Sequence, residues 1–124
     1  MKIIESENMP TPKGHYSMCI EHNGTLYMAG QLPRDPATGS FPEGVEAQTL
    51  QALKNVLTIV EAAGSVKEDI IQMRIYIPDV ELWDRVNKVY GEFFGDHKPV
   101  RAVIPSRDLH YGALIEIEAV AAAA

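Results

Sequence analysis

The chain has 124 residues, 46% of them apolar, and its 11 Lys and Arg against 17 Asp and Glu give a formal net charge of −6. That length is enough for one domain and one buried core over residues 1–124, and no apolar run approaches the roughly 18–20 residues of a membrane span. The acidic balance, with basic residues scattered singly, argues against nucleic acid as a partner.

Two apolar residues precede the acidic Glu5-Ser6-Glu7, too few for the apolar stretch of a signal peptide. A lone cysteine, Cys19, allows no intramolecular disulfide and fits a reducing compartment, so the expected location is cytoplasmic. Tyr16, Met18 and Ile20 alternate with Ser17, Cys19 and Glu21, which predicts a strand. Asn23-Gly24 supplies a tight turn, and Thr25 to Ala29 returns as the second strand. From Gly30 to Gly44, Pro33, Pro36, Gly39 and Pro42 predict an ordered loop. Val45 to Ala63 reads as an amphipathic helix with Leu50, Leu53, Leu57 and Val60 on its buried stripe and Gln48, Gln51, Lys54 and Glu61 elsewhere. Gly64 stops it, and Ser65 to Glu68 has the spacing of a capping box.

Ile70 to Ile77 reads as a strand in which Ile71, Met73, Ile75 and Ile77 alternate with Gln72, Arg74 and Tyr76. Pro78 ends it, and Asp79 can cap a second helix running to about Phe94, with Leu82, Val86, Tyr90 and Phe93 inward and Trp83 beside them. Gly95 closes that helix; strands follow at about Arg101 to Ile104 and Leu114 to Ala121. The order β-β-α-β-α-β-β, with hairpins at both ends, predicts an α+β sandwich with two long helices on one face of a mixed sheet. The other face would expose some of Tyr16, Met18, Ile20, Leu114 and Val120. A homo-oligomer with sheet faces packed together would cover them, placing any active site between subunits.

Pro99-Val100-Arg101-Ala102-Val103-Ile104-Pro105 sets one guanidinium among apolar residues. A buried charge needs a partner, and three readings stay open: a salt bridge to Glu116 or Glu118, an exposed edge-strand arginine, or a planar fork aimed at a ligand carboxylate. Glu116 and Glu118 share one strand face and are either solvated or held for acid–base work. His15, His22, His97 and His110 show no metal-ligand spacing with one another or with Cys19, so no metal is expected. Cys19 reads as a small core residue, and Gly30 can let a ligand approach backbone N–H groups.

Several segments together resemble the Rid family, also called YjgF, small deaminases of reactive enamines and imines. Gly14-His15-Tyr16-Ser17 is similar to the family's G-P-Y-S, Ala29-Gly30-Gln31-Leu32-Pro33 to S-G-Q-I/L-P, and Asp35-Pro36-Ala37-Thr38-Gly39 to D-P-x-T-G. Val86-Asn87-Lys88-Val89-Tyr90 resembles V-N-x-x-Y, His97-Lys98-Pro99-Val100-Arg101 resembles H-x-P-A-R, and the segment from Gly112 to Ala119 resembles G-A-L-V-E-I-E-A. The resemblance implies a chorismate-mutase-like homotrimer with sheets packed inside and clefts between subunits. It implies that Arg101 holds a substrate carboxylate with the Gly30 N–H, that Glu116 and a carbonyl near Val103 orient a water, and that Tyr16 lines the cleft. No cofactor is implied.

The substrate so implied is a small imino or enamine acid of the 2-aminoacrylate or 2-iminopropanoate type, hydrolysed to a 2-keto acid and ammonia. Two other readings stand beside it: another enamine acid of aminoacrylate or aminomuconate type from a catabolic pathway, and a non-catalytic trimer that binds small carboxylates. His15 stands where the family has proline, Ala29 where it has serine, and His110-Tyr111 where it has Pro-Lys. These four positions are the expected specificity rim.

Overall fold

A computed structural model describes all of residues 1–124. Six strands form one sheet: β1 (Lys2–Ile3), β2 (Cys19–His22), β3 (Thr25–Met28), β4 (Ile70–Ile77), β5 (Val100–Pro105) and β6 (Glu116–Ala122). Their order is β1-β2-β3-β6-β4-β5, and only the β4–β5 pair is parallel. Two helices, α1 (Val45–Ala62) and α2 (Trp83–Phe94), pack on each other and cover one face. The α+β arrangement is therefore the expected one.

The first hairpin forms as the sequence requires, with Asn23 and Gly24 at φ 51° and 79° in its turn. The second does not. β4 lies between β5 and β6, so the two C-terminal strands never pair. The physical reason is burial: Met73, Ile75 and Ile77 of β4 are fully buried, whereas Val100, Arg101 and Ala102 of β5 are exposed. The more apolar strand takes the interior position between β6 and β5, and the more exposed strand takes the edge. β1 escaped the sequence reading because two residues are too few to show alternation.

The α1 stripe is rotated from its expected position. Leu53 and Val60 are buried, but Leu50 is exposed, Leu57 is half-buried, and Gln48 and Asn55 point inward. Both amides bind the preceding loop. Asn55 Nδ2 donates to the carbonyls of Leu32 (3.0 Å) and Arg34 (2.9 Å). Gln48 donates to the Pro42 carbonyl (3.0 Å) and accepts from the Leu114 N–H (2.8 Å). A buried amide with all its partners is stable in a core, and apolar periodicity cannot see it.

In β4 a bulge between Ile70 and Gln72 turns Ile71 outward and Ile70 inward, the reverse of the expected alternation at that end. α2 buries Val86, Tyr90 and Phe94, leaving Phe93 half-buried and Trp83 at the surface. Ser65 forms no capping box; its hydroxyl donates to the Ala122 carbonyl at 2.8 Å, while Asp69 accepts from the Val66 N–H at 3.0 Å. Asp79 does cap, accepting from the Glu81 N–H (2.9 Å) at a short 3₁₀ turn, Val80–Leu82, that leads into α2.

The face away from the helices stays open. Register places Ile3, Ile20, Tyr27, Val120, Gln72 and Val100 side by side across all six strands. Tyr27 and Val100 remain 51% and 62% exposed, so this row presents real apolar area. Ile20 and Val120 thus lie on the open face as expected. Met18 is instead buried, its sulfur accepting from Gln31 Nε2 at 3.1 Å, and Tyr16 and Leu114 fall outside the strands.

Candidate active site

Arg101 projects from the edge strand toward α2. Its register partner is Met73, a core residue, so its side chain leaves on the helix-covered side. Nη1 donates to Asn87 Oδ1 at 2.8 Å, and the guanidinium lies 4.8 Å from the Tyr90 ring centroid and 5.5 Å from that of Trp83. Neither Glu116 nor Glu118 touches it. The chain's ion pairs are Arg74–Glu118 and Arg85–Glu46, so the salt-bridge reading of Arg101 is corrected: it is an exposed edge-strand arginine held by neutral groups.

Asn87 and Tyr90 are three residues apart, and Trp83 is one turn earlier, so one face of α2 supplies all three. Two rings and an amide orient the fork without cancelling its charge. The sequence reading places Tyr90 in the buried stripe with Trp83 beside it and gives none of the three a role at Arg101, although V-N-x-x-Y has the right spacing to reveal Asn87 and Tyr90. Burial raises the Tyr90 pKa, and its hydroxyl is buried with no hydrogen-bond partner, so the phenol beside Arg101 stays neutral.

Glu116 faces the other way. It pairs with Tyr76 across β6–β4, on the open face, while its neighbour Ile117 points into the core. It is half-buried and makes no side-chain hydrogen bond or ion pair. A Cβ on Gly30 would stand 2.7 Å from Glu116 Oε2, so only glycine lets the carboxylate lie against that backbone. The Gln31 N–H and carbonyl lock this segment to Ile117 at 2.6 and 3.0 Å. Burial, helped by the negative charge of Glu118, raises the Glu116 pKa, and His110 opposes the rise.

Glu118, two residues on, has a different surrounding. It accepts from the Tyr76 hydroxyl and pairs with Arg74 at 3.7 Å. Of the two acids only Glu116 is uncommitted. Within one chain, then, the structure brings Glu116 to Gly30 and keeps Arg101 on the opposite side of the sheet. Val103 follows Arg101 on β5, half-buried and paired with Ile75.

Tyr16 lies in a separate cleft of about 320 Å³ with Ile3, Met9, Pro12 and Met18, and its hydroxyl accepts from the Lys13 N–H at 3.4 Å. Of the rim positions, His15 is exposed and Ala29 half-buried. His110 stacks on Tyr111 at 3.8 Å, and Tyr111 meets Phe41 edge-on. Cys19 is wholly buried, and desolvation with the nearby Glu21 pushes its thiol up to about 11, which suits a core residue. No three His, Cys, Asp or Glu side chains gather into a metal-binding group, and no helix is long and apolar enough to cross a membrane.

Comparison with known proteins bears on the fold and the family. The family model described as Endoribonuclease L-PSP matches residues 6–123. The chain is 41% identical over 121 residues to a RutC family protein of Pyrococcus horikoshii, covering 97% of this chain and 96% of that one. It is 37% identical over 123 residues to the 2-iminobutanoate/2-iminopropanoate deaminase of Salmonella typhimurium, covering 97% and 96%. The crystal structure of Escherichia coli TdcF with bound serine superposes with a TM-score of 0.93 at 35% identity, covering both chains completely. The fold is thus the chorismate-mutase-like one of the YjgF proteins. On these matches the chain belongs to the Endoribonuclease L-PSP family, the YjgF/Rid group its sequence motifs resemble.

Proposed function

We propose that this protein hydrolyses small reactive enamine and imine acids to 2-keto acids and ammonia. The observation that carries the reading is an arginine oriented by Asn87, Tyr90 and Trp83 yet paired with no acid. With Nη1 tied to Asn87, the rest of the fork is available to a substrate carboxylate. The relative named as an imine deaminase and the structure holding bound serine, itself a carboxylate, both support a small-acid ligand.

Arg101 and Glu116 leave opposite sides of one sheet, so a single copy offers two half-sites. A homotrimer that packs the open faces inward would cover the exposed Tyr27 and Val100. It would also set Arg101 and the Val103 carbonyl of one copy against Gly30 and Glu116 of the next.

The chemistry asks little of the protein beyond position and one proton carrier. An enamine such as 2-aminoacrylate first moves a proton from nitrogen to C3, becoming 2-iminopropanoate. Solvent protonates the imine nitrogen; Glu116 takes a proton from water as the water oxygen bonds to the imine carbon and the C=N π pair moves to nitrogen, giving a carbinolamine. Glu116 then gives that proton to the amino nitrogen, the C–N bond breaks with its electron pair leaving on ammonia, and the hydroxyl proton passes to solvent as the carbonyl forms. A carboxyl with a raised pKa is suited to both steps.

The test is keto-acid release from 2-aminoacrylate generated in situ by a dehydratase. Acceleration that Arg101→Ala and Glu116→Ala each remove is expected; release no faster than the spontaneous reaction would sink the proposal for that substrate. A non-catalytic carboxylate binder is the second reading, favoured by the bound serine of TdcF. It predicts saturable 2-ketobutyrate binding that needs Arg101, without turnover of any imine. Cleavage of nucleic acid, suggested by the family model's description, is disfavoured by the net charge of −6.

A further inference from the structure

We infer that the groove between Lys13, Arg34, Phe41 and Tyr111 is a second anion subsite, selecting imino acids that carry a distal carboxylate. Its position beside the reacting end rests on the deaminase reading; its capacity to bind an anion does not. The groove is a shallow, open depression of about 420 Å³ lined by these four residues, two cations and two aromatic rings, with no acid among them. Neither cation is in an ion pair, since the chain's pairs are Arg74–Glu118 and Arg85–Glu46.

Arg34 is built in place. Its Nη1 donates to the Gly39 carbonyl at 2.7 Å, and the guanidinium lies 5.0 Å from the Phe41 ring centroid and 5.2 Å from that of Tyr111. Tyr111 adopts a left-handed backbone, φ 59° and ψ 24°, a conformation that L residues with bulky side chains avoid. That backbone is retained where the ring both stacks on His110 and borders the arginine. As at Arg101, aromatic rings and a neutral acceptor orient a guanidinium and leave its charge unspent.

Two links tie the groove to Glu116. Arg34 is four residues past Gly30, against which that carboxylate lies, so chain geometry keeps the Cα atoms of Gly30 and Arg34 within roughly 14 Å. Tyr111 is stacked on His110, whose charge acts on Glu116. A substrate with its imine at Glu116 could lay its methylene chain along Phe41 and Tyr111 and its far carboxylate between Lys13 and Arg34. Two cations at one end are too few to track a polynucleotide but suit one small acid.

The test compares 2-oxoadipate with 2-oxohexanoate, stable keto acids of equal length that differ in the distal carboxylate, by calorimetry at low salt. Charge-assisted hydrogen bonds to the distal group should make 2-oxoadipate bind about tenfold tighter or more. Lys13→Met and Arg34→Met should each shrink that preference and leave 2-oxohexanoate unchanged, whereas Arg34→Lys should keep most of it. Lys13→Met serves even if Arg34→Met disturbs the loop, because the Lys13 side chain makes no hydrogen bond or ion pair. Equal affinity for the two acids, or a preference that survives both methionine variants, would overturn the subsite. Imines made from 2-aminoadipate and norleucine by an amino-acid oxidase separate the two proposals. Preferential binding without turnover would sink the deaminase and keep the subsite, whereas turnover of both imines with equal binding would do the reverse.

Discussion

The Arg101 and Glu116 regions of the sheet are built on opposite principles. Arg101, on an edge strand, is gripped by Asn87, Tyr90 and Trp83 and arrives at any ligand already oriented. Glu116, on an inner strand, is gripped by nothing; it rests in a notch left by the missing side chain of Gly30 and has its pKa raised by burial and by Glu118. A fixed charge benefits from rigid support, because the cost of orienting it is met on folding. A group that must take and return protons benefits from having no permanent partner to fix its charge state. Glu118 shows the alternative: one strand repeat away, committed to Tyr76 and Arg74, it is a structural acid.

The sharpest way to break this comparison is to disable each half separately. Glu116→Gln should lower kcat by about 10²–10⁴-fold with little change in KM. Arg101→Met should lower kcat/KM by the equivalent of about 2–5 kcal/mol, chiefly through KM. If the halves come from different copies, mixing the two inactive variants under subunit exchange should restore part of the activity. Continued inactivity of a mixture shown to exchange would place both halves in one chain.

Loss of the shared support comes next. Ile75→Ala, on the helix-covered face of β4, should cost about 2–5 kcal/mol in denaturant unfolding, since the fully buried side chain leaves a cavity. Gly30→Ala should then separate position from stability. The new Cβ meets the end of a flexible side chain, so unfolding should change little while Glu116 is displaced and kcat drops. Asn87→Asp tests the other half: a carboxylate at Oδ1 would neutralise Arg101 and raise KM, although the hydrogen bond survives.

The smallest effects are those of pH. The acid limb of the kcat/KM profile should lie above the ordinary carboxylate value of 4.5, because the raised Glu116 must be ionised to accept a proton. Glu118→Gln removes a repelling charge and should move the limb down; His110→Ala removes an attracting one and should move it up. Stability follows the same sign. A carboxyl whose pKa is raised on folding contributes least once pH exceeds that folded value, so Glu116→Gln should gain on wild type as pH rises through it. A limb insensitive to both substitutions would mean that another group titrates.

Much of the fold was legible because it rests on local rules. Period-two and helical repeats, the Asn23-Gly24 turn and the Asp79 cap each act over a few residues, and the structure forms the first hairpin, both helices and the cap. What failed were inferences that needed a neighbour. The rotation of α1 depends on Gln48 and Asn55 finding loop carbonyls, and the bulge at Ile71 depends on β6. The C-terminal hairpin failed because strand order is decided by which strand can be buried on both edges, and β4 outcompetes β5.

For the candidate site the division is similar. By itself the sequence determined that Arg101 is a lone cation in an apolar strand and that Glu116 alternates with core residues, since both follow from composition and strand periodicity. It also carried the motifs that identify the family. Only the tertiary structure decided which acid is free, that Asn87, Tyr90 and Trp83 hold the arginine, and that Arg101 and Glu116 leave opposite sides of one sheet. Charge state and orientation depend on groups far apart in the chain, and those meet only when strand order and register are set.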